Sequence, residues 1–331
     1  MPGIDVHTHF IPESFPHYVG RHVDVPWPSM APADCGHAHL MVSGKIYRTV
    51  PETSWSGGSR VREMDEISLA RQVLSPMPEL LSYWLPAEDA QVLVRYLNEK
   101  EASLVARHPD RLSALGAVPL QDVDLAIREL EYVVNQLRLP GVEIATHVNG
   151  VSIGDPRFEP FFAAAEKLGA AIFVHALHPA GRDRLVGPGA QEQVVAFPGD
   201  VALGIASLIT GATLERHPHL RIAFSHGGGA FAQLLPRMQH AWNSIPKIRE
   251  SIAQAPEQYA RRLYYDTLTY SARSLRFVID SFGADRIMVG SDYPFQIKDP
   301  DPIGSVSKLE LDAAAMDAIL EGNARRFLAL G

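Results

Sequence analysis

Ile4-Asp5-Val6-His7-Thr8-His9-Phe10 is a short apolar run that ends on two histidines, and the fold is read outward from it. In an extended strand residues i and i+2 share a face, so His7 and His9 project together from the strand's end. Neutral imidazole is the commonest protein metal ligand near neutral pH, which makes the pair half of a candidate metal site. Taken alone, the pattern is equally two unrelated histidines, and the rest of the chain must decide.

Further short apolar runs lie at 71–75, 113–118, 142–147, 171–175, 221–225, 263–267 and 286–290. Helical stretches separate them, at 87–107, 122–137, 157–168, 199–216, 230–243 and 271–282, with 310–320 and 321–329 closing the chain. Val123, Ile127, Leu130 and Val134 recur at helical spacing, and Asp155-Pro156 reads as a cap with proline in the first turn. Ala171-Ile172-Phe173-Val174 and Ile287-Met288-Val289 are continuously apolar, as parallel strands buried on both faces are. Eight βα units in 331 residues predict an α/β protein, a (β/α)8 TIM barrel forming a single domain over 1–331. In such a barrel the active site lies at the C-terminal ends of the strands. Residues 11–66 are too many for an ordinary βα loop. Within them Ala38–Val42 and Lys45–Arg48 resemble a hairpin across Ser43-Gly44, so the stretch is read as a small β insertion after strand 1, capping the barrel mouth. Residues 178–198, with Gly181, Gly187, Pro188 and Gly189, form a second long loop.

Hydrophobic content of 46% and charged content of 21% are globular values. A formal charge of -8 with no basic stripe argues against nucleic acid and anionic membrane surfaces as partners. No apolar run approaches the ~20 residues that span a bilayer. The N-terminus lacks the regions of a signal peptide, and the one cysteine, Cys35, excludes an internal disulfide framework. A cytoplasmic protein is expected.

With the barrel as frame, the polar residues that end apolar strands converge on one mouth. Strand 1 gives His7 and His9, strand 5 gives His175, strand 6 runs into Ser225-His226-Gly227-Gly228-Gly229, and strand 8 ends in Ser291-Asp292-Tyr293-Pro294. Three imidazoles and a carboxylate complete a zinc coordination set when one position is left to water. Most of the 14 histidines look mundane: His108 and His217 end helices, His17, His22 and His178 lie in loops, and His240 is on a helix. Cys35-Gly36-His37-Ala38-His39 mimics a zinc motif but lies in the insertion without an obvious ligand partner. Asp5 either supports the cluster from behind or is a capped strand residue. Glu143, mid-strand, reads as structural.

With these residues placed, the chain resembles the amidohydrolase superfamily. The likeness is to the branch of nonoxidative decarboxylases related to aminocarboxymuconate semialdehyde decarboxylase. Its markers are Asp5–Phe10, Val118-Pro119-Leu120-Gln121-Asp122, His175, Ser225–Gly229 and Gly290-Ser291-Asp292-Tyr293-Pro294-Phe295. The resemblance implies one divalent metal held by His7, His9, His175 and Asp292, usually zinc, with manganese or iron as alternatives and no organic cofactor. It makes His226 the acid/base residue beside a metal-activated water, with Asp292 able to shuttle a proton as well. A bridging lysine, found in binuclear members at strand 4, is absent from Val142-Glu143-Ile144-Ala145-Thr146-His147. Arg48 and Arg237 match substrate-binding arginines, the second reaching into a neighbouring subunit, so a homodimer is implied; Phe295 falls at a substrate-binding position. The loop 181–196 departs from the branch, with Gly, Pro and Gln where bulky aromatics are expected.

The reaction so implied is decarboxylation of a small unsaturated or aromatic carboxylic acid in aromatic or tryptophan catabolism. The best guess is 2-amino-3-carboxymuconate 6-semialdehyde or its 2-hydroxy analogue. A hydrolase or hydratase of a related acid or lactone uses the same residues, and a non-catalytic metal- or carboxylate-binding protein is the rival of a different class. The complete ligand set together with His226 speaks against the latter.

Overall fold

The computed structural model describes residues 3–330. Eight strands form its centre: β1 Ile4–Phe10, β2 Arg71–Pro76, β3 Leu112–Ala114 with its continuation Gly116–Ala117, β4 Gly141–Ala145, β5 Ala171–His175, β6 Arg221–Phe224, β7 Tyr264–Asp266 and β8 Ile287–Met288. Each pairs in parallel with the next. The ring closes between the last strand and the first, where Val6 N donates to Val289 O at 2.8 Å and Asp292 N donates to His7 O at 2.9 Å. Asp5 lies across this seam and accepts from Ser291 N at 3.1 Å, Ser291 Oγ at 2.5 Å and His7 N at 3.1 Å. Asp5 therefore stitches the barrel shut and also holds the backbone of a strand-end histidine. The eight-stranded TIM barrel read from the sequence is the fold.

Helices cover the outside: α1 Gly57–Glu66, α2 Ala87–Arg107, α3 Val123–Asn135, α4 Glu159–Leu168, α5 Phe197–Thr210, α6 Phe231–Ser244 and α7 Ala272–Phe282, then α8 Ala313–Asp317 and α9 Asn323–Leu328. Two cores result. The larger lies between strands and helices. The smaller fills the barrel with Ile4, Val6, Val73, Phe173 and Met288, and α9 plugs its lower end with Phe327. The end of β3 is held from outside the barrel. Asn98 of α2 donates from Nδ2 to Ala117 O at 3.0 Å and accepts from Ala117 N at 2.7 Å, so a helix amide pairs with the strand's last residue.

Residues 11–66 differ from the expectation in two ways. The hairpin across Ser43-Gly44 is present, but a third strand joins it: Pro28–Pro32, His37–Val42 and Lys45–Pro51 form an antiparallel sheet. The end of the stretch is α1, the first barrel helix. Its buried residues are Gly57, Ser59, Arg60 and Met64, so only one is a large apolar side chain and no helical apolar period exists to be read. Buried Arg60 donates instead to Thr8 Oγ1 at 3.2 Å, Gln72 Oε1 at 3.1 Å and His9 O at 2.6 Å.

The loop expected at 178–198 is shorter, because its end winds into a π-helical turn, Glu192–Ala196, that runs straight into α5. The stretch Glu192–Thr210 is long and apolar enough to cross a membrane, which corrects the expectation that no such run exists. Half of it is buried inside the protein; α5 packs on the neighbouring α6 and needs apolar residues for that.

Candidate metal centre and active site

The strand ends deliver their side chains to one point. One nitrogen each from His7, His9 and His175 and one oxygen of Asp292 all lie within 4.8 Å of one another, and all four residues are buried. The pairing of β1 with β2 shifts register between Asp5 and Thr8, with Asp5 opposite Gln72 and Thr8 opposite Leu74. Such a bulge re-aims side chains: Val6 belongs to the barrel core while His7 and His9 both turn to the cluster. His9 Nε2 stands 3.0 Å from Asp292 Oδ1 and 3.2 Å from His7 Nε2. His175 hydrogen-bonds Ala176 O through Nδ1 at 2.8 Å, which leaves its buried Nε2 without a protein partner. Three imidazoles and a carboxylate converging with an orphaned buried nitrogen fit a divalent cation. This is a metal-binding group.

Electrostatics agree with that assignment at Asp292 and His175; at His7 burial is outweighed by the hydrogen bond and charge of Asp266, which raise it to about 9, so a bound metal would have to displace its proton. Burial works to raise the Asp292 carboxyl, but the hydrogen bond from His9 and the charge of His7 outweigh it and hold the group below the usual carboxylate range. Burial, reinforced by neighbouring His226, drives His175 well below the usual imidazole range, so it is uncharged and ready to ligate. Glu143 is buried in mid-β4 and stands outside the four-donor group; burial pushes its carboxyl up to about 8.

His226 sits beside the cluster, its ring centroid 4.9 Å from that of His175 and 5.3 Å from that of His7. Burial and the charge of His7 push its pKa down to about 4, so the ring is neutral at pH 7. Its backbone is left-handed, at φ 56°, and three glycines at positive φ follow. At Gly229 a Cβ would fall 2.0 Å from Pro198 O, so only glycine lets the loop pass so close.

Sequence reasoning missed the residue that organises this corner. Asp266, at the end of β7, accepts from His7 Nδ1 at 2.6 Å and from His226 N at 3.0 Å on Oδ2. On Oδ1 it accepts from Gly227 N at 2.7 Å and Leu268 N at 3.0 Å. A carboxylate on Nδ1 fixes the tautomer of a ligating histidine and points Nε2 at the metal. The signal was available, since Tyr264-Tyr265-Asp266 is another apolar run ending in a polar residue.

The cluster forms the floor of a cavity of about 750 Å³, reached by His175, His226 and Asp292. Arg48 lines it, carried by the antiparallel sheet of residues 28–51, and so does Phe295. The Phe295 ring stacks on His9 with centroids 4.9 Å apart, and the Arg48 guanidinium lies over the same ring, 4.3 Å from its centroid. Arg48 makes no hydrogen bond to protein among the described residues, so its donors are free. Arg237 stands elsewhere, on the exposed face of α6 and not among the residues that line the cavity. His37 and His39 make only local hydrogen bonds, to Cys35 O and Thr49 Oγ1, and form no metal-binding group with Cys35 among the described residues.

A model of the amidohydrolase family matches residues 4–330. The chain belongs to that family. It is 32% identical, over 99% of its length and 91% of the relative's, to a 2-amino-3-carboxymuconate-6-semialdehyde decarboxylase of Dictyostelium discoideum. Among solved structures it is similar to 5-carboxyvanillate decarboxylase of Sphingomonas paucimobilis, with 28% identity, a TM-score of 0.77 and coverage of 83% of this chain and 84% of that one. It is also similar to a dihydroxybenzoic acid decarboxylase of Polaromonas sp. JS666 with bound manganese and the inhibitor 2-nitroresorcinol. There the identity is 25%, the TM-score 0.73 and the coverage 82% and 85%. These relatives mark the chain as an enzyme of the carboxy-lyase branch of the family, and the manganese-bound relative supports a divalent metal in the four-donor group.

Proposed function

We propose that the chain is a metal-dependent, nonoxidative decarboxylase of a small unsaturated or aromatic carboxylic acid, with 2-amino-3-carboxymuconate 6-semialdehyde or its 2-hydroxy analogue as the leading substrate. The observation that carries this reading is the four-donor group on the floor of a cavity, with a neutral histidine beside it and a free guanidinium on the wall. A divalent metal, zinc first and manganese next, would be held by His7, His9, His175 and Asp292 and supplies Lewis-acid charge to the carboxylate and to the negative charge that develops as the carbon–carbon bond breaks.

The chain's own residues do the rest. Arg48 offers a planar fork that grips a carboxylate through two parallel hydrogen bonds. Phe295 fixes that fork by stacking beneath it. His226, neutral at working pH, takes up a proton and returns it to the carbon that has lost its carboxylate. Asp266 holds the loop of His226 through the hydrogen bonds from His226 N and Gly227 N.

A homodimer belongs to this reading. Arg237 is exposed on α6, one helical turn beyond Gln233, which lines the cavity, and in this reading its side chain enters the site of a neighbouring copy.

The test is to load the protein with zinc or manganese and assay muconate semialdehydes and hydroxybenzoates for carbon dioxide release. Turnover should vanish with chelator, and His226→Ala should keep the metal while losing on the order of 10²-fold or more in rate. Net addition of water without carbon dioxide would replace this reading by a hydratase. Undiminished turnover in His226→Ala would overturn the role given to that residue.

A further inference from the structure

Glu79 is the one acidic side chain lining the cavity, among the described residues, that the metal-binding group does not use. It sits in the turn Pro78–Leu81 that follows β2. Its Oε1 accepts a hydrogen bond from Tyr47 Oη, which belongs to the same strand as Arg48. Its Oε2 has no protein partner among the described residues. Arg48 lines the same cavity, yet the two opposite charges form no ion pair with each other.

A substrate that fills the cavity takes water away from both charges. A carboxylate left dry without a donor costs free energy, and next to a substrate carboxylate it also repels. Arg48 answers the substrate's anion. Nothing in the protein answers Glu79 Oε2, so the substrate must.

We propose that Glu79 is a specificity-determining residue that accepts a hydrogen bond from an amino or hydroxyl group on the substrate, on a carbon near the carboxylate held by Arg48. The site then selects amino- and hydroxy-substituted acids over their unsubstituted analogues. A pocket built around a polar group of its ligand rejects the analogue that lacks the group, because its own polar atom is left unpaired. The proposal rests on the decarboxylase reading and names the feature its substrate must carry.

The experiment uses calorimetry on the full-length, metal-loaded protein with three probes: benzoate, 2-hydroxybenzoate and 2-aminobenzoate. The wild type should bind the two substituted acids at least about tenfold more tightly than benzoate, a difference of about 1.4 kcal/mol. Glu79→Leu should bring that ratio to within about threefold, chiefly by tightening benzoate, which then leaves no carboxylate dry and unpaired. Tyr47→Phe, which removes only the contact between the sheet and the barrel, should keep the wild-type ratio. Should Glu79→Leu fail to fold, Glu79→Gln takes its place; its oxygen still serves Tyr47 and an N–H faces the ligand, so the preference for 2-aminobenzoate, whose amino group can only donate, should be lost. An unchanged ratio in the Glu79 variants overturns the proposal, and so does the same loss in Tyr47→Phe. These results leave the decarboxylase reading intact if carbon dioxide is still released. Wild-type protein that binds none of the three acids and releases no carbon dioxide overturns both.

Discussion

Replacing Asp266 by asparagine tests the architecture of the site most directly. The carboxylate accepts four hydrogen bonds, two on each oxygen: His7 Nδ1 at 2.6 Å and His226 N at 3.0 Å, then Gly227 N at 2.7 Å and Leu268 N at 3.0 Å. An amide of the same shape has one oxygen. Whichever way it turns, two N–H groups meet its NH2. If the oxygen stays with Gly227 and Leu268, the amide donates to His7 Nδ1 and pushes the ring proton to Nε2, where the metal must bind. Loss of such a partner typically lowers metal affinity by about 10- to 100-fold, or about 1.4–2.8 kcal/mol at 1.4 kcal/mol per decade. Competition with a chromophoric chelator measures that shift, and circular dichroism checks that the barrel is intact. Asp266→Asn protein binding zinc or manganese within about twofold of the wild type would refute the claim that this carboxylate sets the tautomer of His7.

Stability should respond elsewhere in the barrel. Asn98→Ala strips Ala117 of partners for both its N–H and its C=O and removes a donor from Glu129 Oε1. With about 1–3 kcal/mol for each buried group left unmade, a loss of roughly 3 kcal/mol is expected in urea unfolding, and a change under ~1 kcal/mol would show that the strand end repairs itself. Acid should find a different weak point. Burial works to raise the Glu159 and Glu166 carboxyls, but hydrogen bonds from Arg216 and His217 to the first, and from His219 N and His217 to the second, hold both below the usual value of 4.5. A depressed carboxyl stabilises the fold above its unfolded-state pKa, and that contribution disappears as pH falls through the lower folded-state value. Thermal stability of the wild type should therefore drop more steeply below pH 4.5 than that of His217→Ala; parallel curves would mean the pairing contributes nothing.

How far the sequence could be read depended on whether a position announced itself chemically. Buried parallel strands are apolar on both faces, so β5 and β8 stand out, and a polar residue ending such a run is conspicuous. His7, His9, His175, Asp292 and His226, which the structure brings together, stand out in that way. Asp266 follows the same rule, but its strand, Tyr264–Asp266, is short, and its work is to hold backbone N–H groups, which leave no mark in the sequence. Helix α1 escaped notice because a buried arginine stands where an apolar residue would betray a helix. Glu79 lies in a turn between prolines and leucines, and only the folded chain shows that Tyr47, from another element, meets it. Arg237 could be matched by motif, yet one chain cannot show what its exposed side chain reaches.

The seam stitched by Asp5 and Ser291 has a bearing on biosynthesis. These two residues are 286 positions apart, and the donor group likewise draws on the first strand and the end of the last. A nascent chain emerging from the ribosome can offer His7, His9 and His175, but not the carboxylate that completes the group, until its final strand is made. Contacts of such long sequence separation form late and slowly. The four-donor group is thus complete only in the finished barrel, and an ion held there would span the same joint that Asp5 and Ser291 close.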